Sequence, residues 1–183
     1  IWCDARSVDE VEDIRRLLGN ERLGEITCNQ IAAGFQTASL LWMKKHEPAL
    51  YEKTETVLLP KDYLRYRLTG CLSTDVTDAA GTLALNVRQA AWSDELIRTL
   101  GLRRSLYPKI YLPQDFAGEV TAAASAETGL KAGTKVFHGG ADQVMQAIGN
   151  GIIAPGQVSV TIGTGAQVFA PIASAIYDKQ LRA

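Results

Sequence analysis

The sequence predicts an α/β fold, and three observations support this prediction. Apolar residues recur at helical spacing in several segments, as at Val11 and Ile14. Short apolar runs of strand length, as at 136–138, alternate with those segments. Towards the C-terminal end the pattern changes to two neighbouring β-type runs, 158–162 and 166–170, separated by a Gly-Thr-Gly turn.

The composition is that of an ordinary globular protein. Of the 183 residues, 46% are hydrophobic and 21% are charged, which is enough for a core without disulfides or a metal. The 19 Lys and Arg residues nearly balance 20 Asp and Glu residues, so nothing indicates a nucleic-acid-binding surface. The three cysteines lack disulfide or zinc-site spacing, which favours reduced thiols in the cytoplasm. No run approaches the roughly 18 apolar residues of a membrane span. We therefore expect a cytoplasmic protein that binds neither nucleic acid nor membranes.

Helix signals organise the first half of the chain. Ser7 and Glu10 have the spacing of a capping box, in which Ser7 caps the helix start and Glu10 reaches back to the Ser7 N–H. Gly19 is expected to end this helix, and Gly70 a later one. The predicted elements are helices at 8–18, 37–46, 49–53 and 61–68, and a buried strand at 57–59. The segment 73–82, rich in Thr, Asp and Gly, is predicted to be a connection made of turns.

The second half alternates strands and helices. Ser93 is predicted to cap a helix that Gly101 ends, and Gly129 is predicted to end the next one. The remaining predicted elements are a strand at 83–87, a strand end and helix within 120–128, a strand at 136–138 and a helix at 142–149.

The first candidate for chemistry is the carboxylate that follows a glycine pair. Asp142 is predicted at a helix start with free N–H groups nearby, where it can accept a proton from a substrate hydroxyl. Its neighbour Gln143 offers both a donor and an acceptor. The alternative is that Asp142 is the helix N-cap, for which Asp is a preferred residue. The preceding His-Gly-Gly resembles a lipase oxyanion loop, but the 183 residues contain no Gly-x-Ser-x-Gly nucleophile motif, which excludes this hydrolase class.

The turn Gly163-Thr164-Gly165 is a second candidate. Its small residues let backbone N–H groups approach a phosphate, to which the Thr164 hydroxyl adds a donor. The alternative is a plain hairpin turn. The turn is neither a Walker loop nor a dinucleotide-binding fingerprint.

Two charged groups are weaker candidates. Asp75 and Asp78 can flank a glycosidic bond or hold a metal, and the alternative is that they cap local backbone turns. Arg65 and Arg67, beside Lys61, can bind phosphate, and the alternative is a solvated helix face.

Longer stretches of the chain resemble a single group of enzymes. The sequences LPKDYLRYRLTG (59–70), TDVTDAAGTLALNV (74–87) and AWSDELIRTLGL (91–102) closely resemble xylulokinases, which belong to the FGGY family of carbohydrate kinases. IWCDARS (1–7) and GFQTASLLWMKKHEP (34–48) are similar as well. The resemblance covers nearly the whole chain without large gaps.

The resemblance implies a ribonuclease-H-like (actin-like ATPase) fold with two domains around a cleft. The change of pattern at Pro155-Gly156 then assigns residues 1–154 to the C-terminal part of the sugar-binding N-terminal domain. Residues 155–183 become the opening hairpin of the nucleotide-binding C-terminal domain. Because the chain starts at Ile1 rather than Met, we expect an internal fragment that is inactive alone, since the chemistry also needs positioned phosphate ligands.

The resemblance also implies a reaction and its residues. The family moves the γ-phosphoryl group of ATP to a sugar hydroxyl with Mg²⁺ present, and here D-xylulose would become D-xylulose 5-phosphate. Asp142 matches the general base, Asp142 and Gln143 match sugar contacts, and Gly163, Thr164 and Gly165 match nucleotide contacts. No metal ligand is implied within the chain. The implied partners are a small-molecule sugar and ATP, and a homodimer is left open.

Departures from the xylulokinase pattern leave other substrates open. Gln143 stands where xylulokinases usually have Asn and where glycerol kinases have Gln, and Ser39 replaces a usual Lys. Ribulose, gluconate and glycerol are therefore alternative acceptors. A non-catalytic sugar-binding module is the alternative from another functional class.

Overall fold

The computed structural model describes residues 3–163 and 165–179, which form nine α-helices and a short 3-10 helix at Arg104–Leu106. The α-helices are α1 Val8–Leu18, α2 Asn20–Thr27, α3 Gln36–His46, α4 Pro48–Lys53, α5 Pro60–Thr69, α6 Val76–Gly81, α7 Asp94–Thr99, α8 Ala122–Thr128 and α9 Asp142–Gly149. None of these helices has both the length and the apolar character needed to cross a membrane.

Eight short strands pair two by two in the described ranges. They are β1 Ser73–Asp75, β2 Leu85–Asn86, β3 Ala91–Trp92, β4 Lys109–Tyr111, β5 Phe116–Glu119, β6 Lys135–Phe137, β7 Ser159–Ile162 and β8 Ala166–Phe169. β1 and β4 are parallel, whereas β2–β3, β5–β6 and β7–β8 are antiparallel. The predicted mixture of helices and strands is confirmed.

The hydrophobic core lies among the N-terminal helices and the segment around α7. Side chains of α1, α2 and α3 belong to the same buried cluster as those of α7 and the 3-10 helix, and Ile14, Leu96 and Leu106 are fully buried. The β7–β8 hairpin, in contrast, exposes Val160 and Ile162. The core thus extends to Ala79 of α6 and leaves the hairpin outside.

Most of the predicted helix ends are confirmed. Gly19 and Gly70 follow α1 and α5 with φ angles of 75° and 77°, a conformation that glycine adopts without strain. The Ser93 hydroxyl caps α7 by accepting the Leu96 N–H at 3.2 Å. The last helix, α9, spans Asp142–Gly149 as predicted.

The predicted capping box at α1 is wrong. Ser7 precedes α1 with φ −96° and ψ 26°, outside the extended region that an N-cap usually adopts, and its hydroxyl makes no capping bond. Glu10 is buried, and its Oε1 lies 3.1 Å from Lys45 Nζ and 3.5 Å from His46 Nε2. The carboxylate is therefore paired with α3 instead of reaching back to the Ser7 N–H.

Two further predictions are corrected. Residues 57–59 form no strand, because only an isolated bond joins the Val57 N–H to the Leu106 carbonyl and Leu59 is already the N-cap of α5. The segment 73–82 is not a run of turns, because it contains β1 and α6. Asp75 does cap the backbone as the sequence suggested, but it starts a helix by accepting the N–H groups of residues 77 and 78.

Candidate functional site

The loop that precedes α9 places Asp142 at the edge of a cleft. It runs from the end of β6 to the first residue of α9. Gly139 has φ 69°, in the left-handed region that favours glycine. At Gly140 an added Cβ would lie 2.8 Å from Met145 Cε and 2.9 Å from Thr77 Oγ1, so the loop packs too closely for a side chain. The backbone conformation thus favours glycine at Gly139, and the close approach of neighbouring side chains favours glycine at Gly140.

Asp142 is the first helical residue of α9 and is exposed. Its Oδ1 accepts the Gln143 N–H at 2.7 Å. The N-cap position belongs to Ala141, whose side chain cannot accept a hydrogen bond. The alternative that Asp142 is the N-cap is therefore wrong. Its carboxylate instead lies in the first turn, where the helix dipole favours negative charge.

Lys61 lies among three acidic side chains. Its Nζ is 2.9 Å from Asp62 Oδ1, 2.8 Å from Asp75 Oδ2 and 3.2 Å from Asp78 Oδ2. Asp62 and Asp75 are fully buried, whereas Lys61 is partly exposed. The ammonium also donates to the His138 carbonyl oxygen at 3.3 Å. Lys61 therefore offsets the charge of buried carboxylates and contacts the loop before α9.

Burial and ion pairing act in opposite directions on the pKa values of this cluster. Burial favours neutral Lys61, but hydrogen bonds to Asp75 and Asp62 outweigh it and raise the pKa of Lys61. Burial also favours neutral Asp75, yet hydrogen bonds from Lys61 and Thr77 hold the pKa of Asp75 below its ordinary value. At Asp78 burial outweighs the attraction of Lys61 and raises the pKa. Asp75 is thus a firmly ionised acceptor, and Asp78 protonates more readily.

Arg65 lies one turn after Asp62 on α5 and is buried. Its guanidinium is 2.9 Å from Asp62 Oδ1 and donates to the His138 carbonyl oxygen at 3.2 Å. The alternative prediction of a solvated helix face is therefore wrong for Arg65 and for the half-buried Lys61. It is correct for Arg67, which is exposed.

His138 is buried and fixes the start of the loop. Its Nε2 lies 3.0 Å from Ser73 Oγ, and its Nδ1 lies 3.0 Å from the Asp115 carbonyl oxygen. The ring stacks on Tyr111 with a centroid distance of 4.3 Å. These contacts give His138 a structural role.

A cleft of about 430 Å³ brings the charged groups together. It is lined by Leu59, Pro60, Lys61, Asp78, Gly140, Asp142 and Met145. Its size lies in the range of small-molecule sites. A wider groove beside Tyr63 and Tyr66 contains none of these charged groups. The cleft with Asp142 is therefore the candidate site.

The acidic cluster does not fit a magnesium site as it stands. Carboxylate oxygens of Asp62, Asp75 and Asp78 lie within 4.8 Å of one another, the one group of this kind in the part of the chain that the structure describes. Lys61 Nζ already lies within hydrogen-bonding distance of all three. A divalent cation would have to displace this ammonium, since Mg²⁺ needs the same oxygens.

The second candidate forms the predicted hairpin turn. β7 and β8 pair with Ile162 opposite Ala166, and the Gly163 N–H donates to the Gly165 carbonyl at 2.8 Å. A Cβ added at Gly165 would meet nothing within 4 Å, so the turn is open. Thr164 lies outside the described residues.

The hairpin approaches α9 on the side that carries Asp142. Gln146 Nε2 lies 3.5 Å from Thr161 Oγ1 on β7. Because Gln146 follows Asp142 by four residues, the two side chains share a helix face. The strand that leads into the glycine turn therefore contacts α9 one turn after Asp142.

The sequence patterns placed Asp75 and Asp78 in one candidate group and Lys61 in another, and they did not single out Asp62 or Thr77. One signal was available: Asp62 lies three residues before Arg65, a spacing at which opposite charges pair on a helix. A charge that is paired in this way costs less free energy to bury, so the spacing was a sign that both residues could be buried. Nothing in the sequence placed Thr77 beside the loop, because that contact joins segments far apart in the chain.

Comparison with known proteins identifies relatives that match most of the chain. The N-terminal domain of the FGGY family of carbohydrate kinases matches residues 1–149. A xylulose kinase of Bacillus subtilis (strain 168) is 38% identical over 164 residues, which cover 90% of this chain and 33% of the relative. An autoinducer-2 kinase of Escherichia coli O139:H28 is 30% identical and covers 99% of this chain and 35% of its own. The chain thus spans about a third of the length of these relatives.

Solved structures share the fold. A protein described as a xyloylose kinase from Brucella ovis has a TM-score of 0.84 at 35% identity, covering 93% of this chain and 34% of its own. A gluconate kinase from Lactobacillus acidophilus has a TM-score of 0.84 at 26% identity, with 91% and 34% covered. The predicted ribonuclease-H-like (actin-like ATPase) fold, present in part, is confirmed by these likenesses. Since the family's N-terminal domain matches most of the residues, the chain belongs to the FGGY family of carbohydrate kinases.

Proposed function

We propose that the full-length protein transfers the γ-phosphoryl group of ATP to a sugar hydroxyl, converting D-xylulose to D-xylulose 5-phosphate. Family membership and the similarity to a xylulose kinase support this reaction. The observation that carries the proposal is the cleft that the exposed Asp142 lines together with Lys61 and Asp78. The cleft offers an exposed carboxylate next to space for a small molecule.

In this proposal Asp142 is the general base. Its carboxylate accepts the proton of the attacking hydroxyl as that oxygen bonds to the γ-phosphorus. The bond between the γ-phosphorus and the bridging oxygen breaks, and ADP leaves with the electron pair. Gln143 donates to and accepts from sugar hydroxyls, since its amide has both functions. Positioning and electrostatics supply most of the rate, and the base contributes about 10²–10⁴-fold.

We assign the nucleotide contacts to Gly163, Thr164 and Gly165. The open turn and its link to α9 through Gln146 and Thr161 support this assignment. Mg²⁺ accompanies ATP in the proposed reaction, where it would neutralise phosphate charge. Its ligands are not assigned to the acidic cluster, because Lys61 already lies there.

The proposed domain organisation follows from assigning Asp142 to the sugar site and the glycine turn to the nucleotide site. Residues 1–154 belong to the sugar-binding domain and residues 155–183 open the nucleotide-binding domain. The protein acts in the cytoplasm on a sugar and ATP, without nucleic acid or membrane partners. A homodimer is the assembly to examine by light scattering.

A sugar panel with the full-length protein tests the proposal. Xylulose should be phosphorylated faster than ribulose, gluconate or glycerol, and Asp142→Asn should lower kcat by about 10²–10⁴-fold because the base is lost. Asp94→Asn is the matched control, because Asp94 is also exposed and the first residue of a helix, α7. Its kcat should stay at the wild-type value.

The outcomes separate family, substrate and mechanism. Preference for another polyol, with Asp142→Asn inactive, would reject xylulose and keep the base. Near-normal activity of Asp142→Asn would reject Asp142 as the base. The second candidate function is an FGGY kinase of another acceptor, which Gln143 and the similarity to gluconate and autoinducer-2 kinases favour.

A further inference from the structure

A chain of hydrogen bonds joins a buried carboxylate to the backbone directly before the proposed base. We propose that Thr77, oriented by Asp75, is a positioning residue that sets the location of Asp142 through the Ala141 N–H. This inference rests on the proposed function, in which Asp142 accepts the substrate proton. Thr77 itself touches neither substrate nor reacting atoms in this proposal.

The direction of each bond follows from the chemistry of its groups. The Ala141 N–H can only donate, and it donates to Thr77 Oγ1 at 2.8 Å. The Thr77 hydroxyl must therefore point its own proton elsewhere, and it donates to Asp75 Oδ1 at 2.5 Å. An ionised Asp75 only accepts, and its pairing with Lys61 at 2.8 Å supports that charge. The order Ala141, Thr77, Asp75 is thus fixed.

Asp75 is a rigid anchor for this chain. It is fully buried, and its Oδ1 also accepts the backbone N–H groups of Thr77 at 2.8 Å and of Asp78 at 3.3 Å. These bonds make Asp75 the cap of α6. Because the Thr77 backbone and hydroxyl bind the same oxygen, the Thr77 rotamer has little freedom.

Packing at Gly140 independently ties the loop to Thr77. A Cβ at Gly140 would approach Thr77 Oγ1 to 2.9 Å, closer than real contacts allow. The loop backbone therefore lies directly against the Thr77 hydroxyl. The other end of the loop is fixed by Lys61 and Arg65, which both donate to the His138 carbonyl.

The position of the Asp142 carboxylate depends on this backbone. Asp142 is exposed, and its Oδ1 bonds to the N–H of the next residue, so this contact moves with the helix start. A base must lie within hydrogen-bond reach of the hydroxyl it deprotonates. A displacement of about 1 Å can lower a rate by roughly 10²-fold. The hydrogen bond from the Ala141 N–H to Thr77 would prevent such a displacement of Asp142.

The test removes the hydroxyl while keeping the shape. In the full-length protein, Thr77→Val should lower kcat by about 10- to 100-fold and leave the KM for ATP unchanged. Thr77→Ser keeps the acceptor and should restore most of the activity. Amide hydrogen exchange at Ala141 should accelerate in Thr77→Val and remain slow in Thr77→Ser, because only the serine variant retains the acceptor.

Thr69→Val is the matched control for a merely structural effect. Thr69 is also half-buried, donates to the Arg65 carbonyl at 2.8 Å and accepts the Cys71 N–H at 3.2 Å. Thermal unfolding should show comparable destabilisation of Thr69→Val and Thr77→Val. The kcat should fall in Thr77→Val and stay at the wild-type value in Thr69→Val.

A double variant shows whether Thr77 acts through the base. In an Asp142→Asn background, Thr77→Val should cause little further loss, because a missing base cannot be misplaced. A full additional loss would overturn the inference, as would wild-type kcat in Thr77→Val. If Asp142→Asn alone stays active, the proposed base fails; if Asp142→Asn is inactive and Thr77→Val is normal, only the positioning role fails.

Discussion

At the scale of single residues, Lys61 is the cation that pairs with the acidic side chains at the cleft. One ammonium lies within 3.2 Å of three carboxylates, two of which are fully buried. Buried charges are costly unless they are paired. The conformation of Asp75, and with it the start of α6, therefore depends on a side chain fourteen residues earlier.

Replacing Lys61 should reveal this dependence. Lys61→Met is expected to lower the free energy of unfolding by about 3 kcal/mol at neutral pH, because buried carboxylates lose their cation. The pKa of Lys61 in the folded state lies above its ordinary value of 10.5, so the contribution is complete below pH 10.5 and is lost as the pH rises through the raised pKa. Urea unfolding over a pH series should show the difference from wild type shrinking in alkali.

The exposed Lys131 provides the control. Lys131→Met removes the same charge from the surface and should leave the free energy of unfolding nearly unchanged. Equal stability of Lys61→Met and wild type at neutral pH would contradict the role of Lys61.

At the scale of elements, two helices that both begin after a serine differ in how they are capped. Ser93 has an extended backbone, and its hydroxyl accepts the Leu96 N–H before α7. Ser7 before α1 has a different conformation, and its buried hydroxyl finds no partner among the described residues. The same residue type therefore stabilises one helix start and not the other.

This difference predicts opposite effects of alanine. Ser93→Ala should cost about 1 kcal/mol, because the cap is lost. Ser7→Ala should be neutral or stabilising, because it removes a buried polar group without a partner. Urea unfolding of the two single variants measures both effects, and a larger loss for Ser7→Ala than for Ser93→Ala would show that the Ser7 hydroxyl has a partner after all.

At the scale of the whole molecule, the candidate site joins three distant segments. α5 supplies Lys61, the β1–α6 junction supplies Asp75 and Thr77, and the start of α9 supplies Asp142. The main core lies among α1 to α3 and α7 and includes Ala79 of α6, which follows the junction. The site thus combines the proposed base, Asp142, with supporting contacts, and the acidic cluster of its described residues is already paired with Lys61.

We expect the isolated 183 residues to show no ATP consumption in the presence of xylulose. Phosphoryl transfer needs positioned metal and phosphate ligands as well as a base, and the acidic cluster of the described residues is already paired with Lys61. A coupled ADP assay, with the full-length protein as positive control, measures this. Turnover by the isolated chain, abolished by Asp142→Asn, would show that these residues suffice.

The sequence predicted much of the local structure because local signals are sufficient for it. Helical periodicity with Gly19, Gly70 and Gly129 as end signals correctly located α1, α5 and α8, since the conformation of a helix end depends on adjacent residues. The glycine turn between two β-type runs predicted the β7–β8 hairpin. The errors occurred where a residue far away in the sequence determined the contact of a side chain. Glu10, for example, pairs with Lys45 of α3 instead of capping the start of α1.

The sequence by itself therefore determined the fold class, the family and the candidate base, because these depend on local pattern and on long similar stretches. It also placed Asp142 at a helix start, but both a cap and a base fit that position. Only the tertiary structure showed that Ala141 is the N-cap, that Lys61 and Arg65 are drawn into a buried charged cluster, and that Thr77 contacts the loop before α9. These features depend on contacts between buried charges and hydrogen-bond donors that are far apart in the sequence. The spacing of residues along the chain does not predict such contacts.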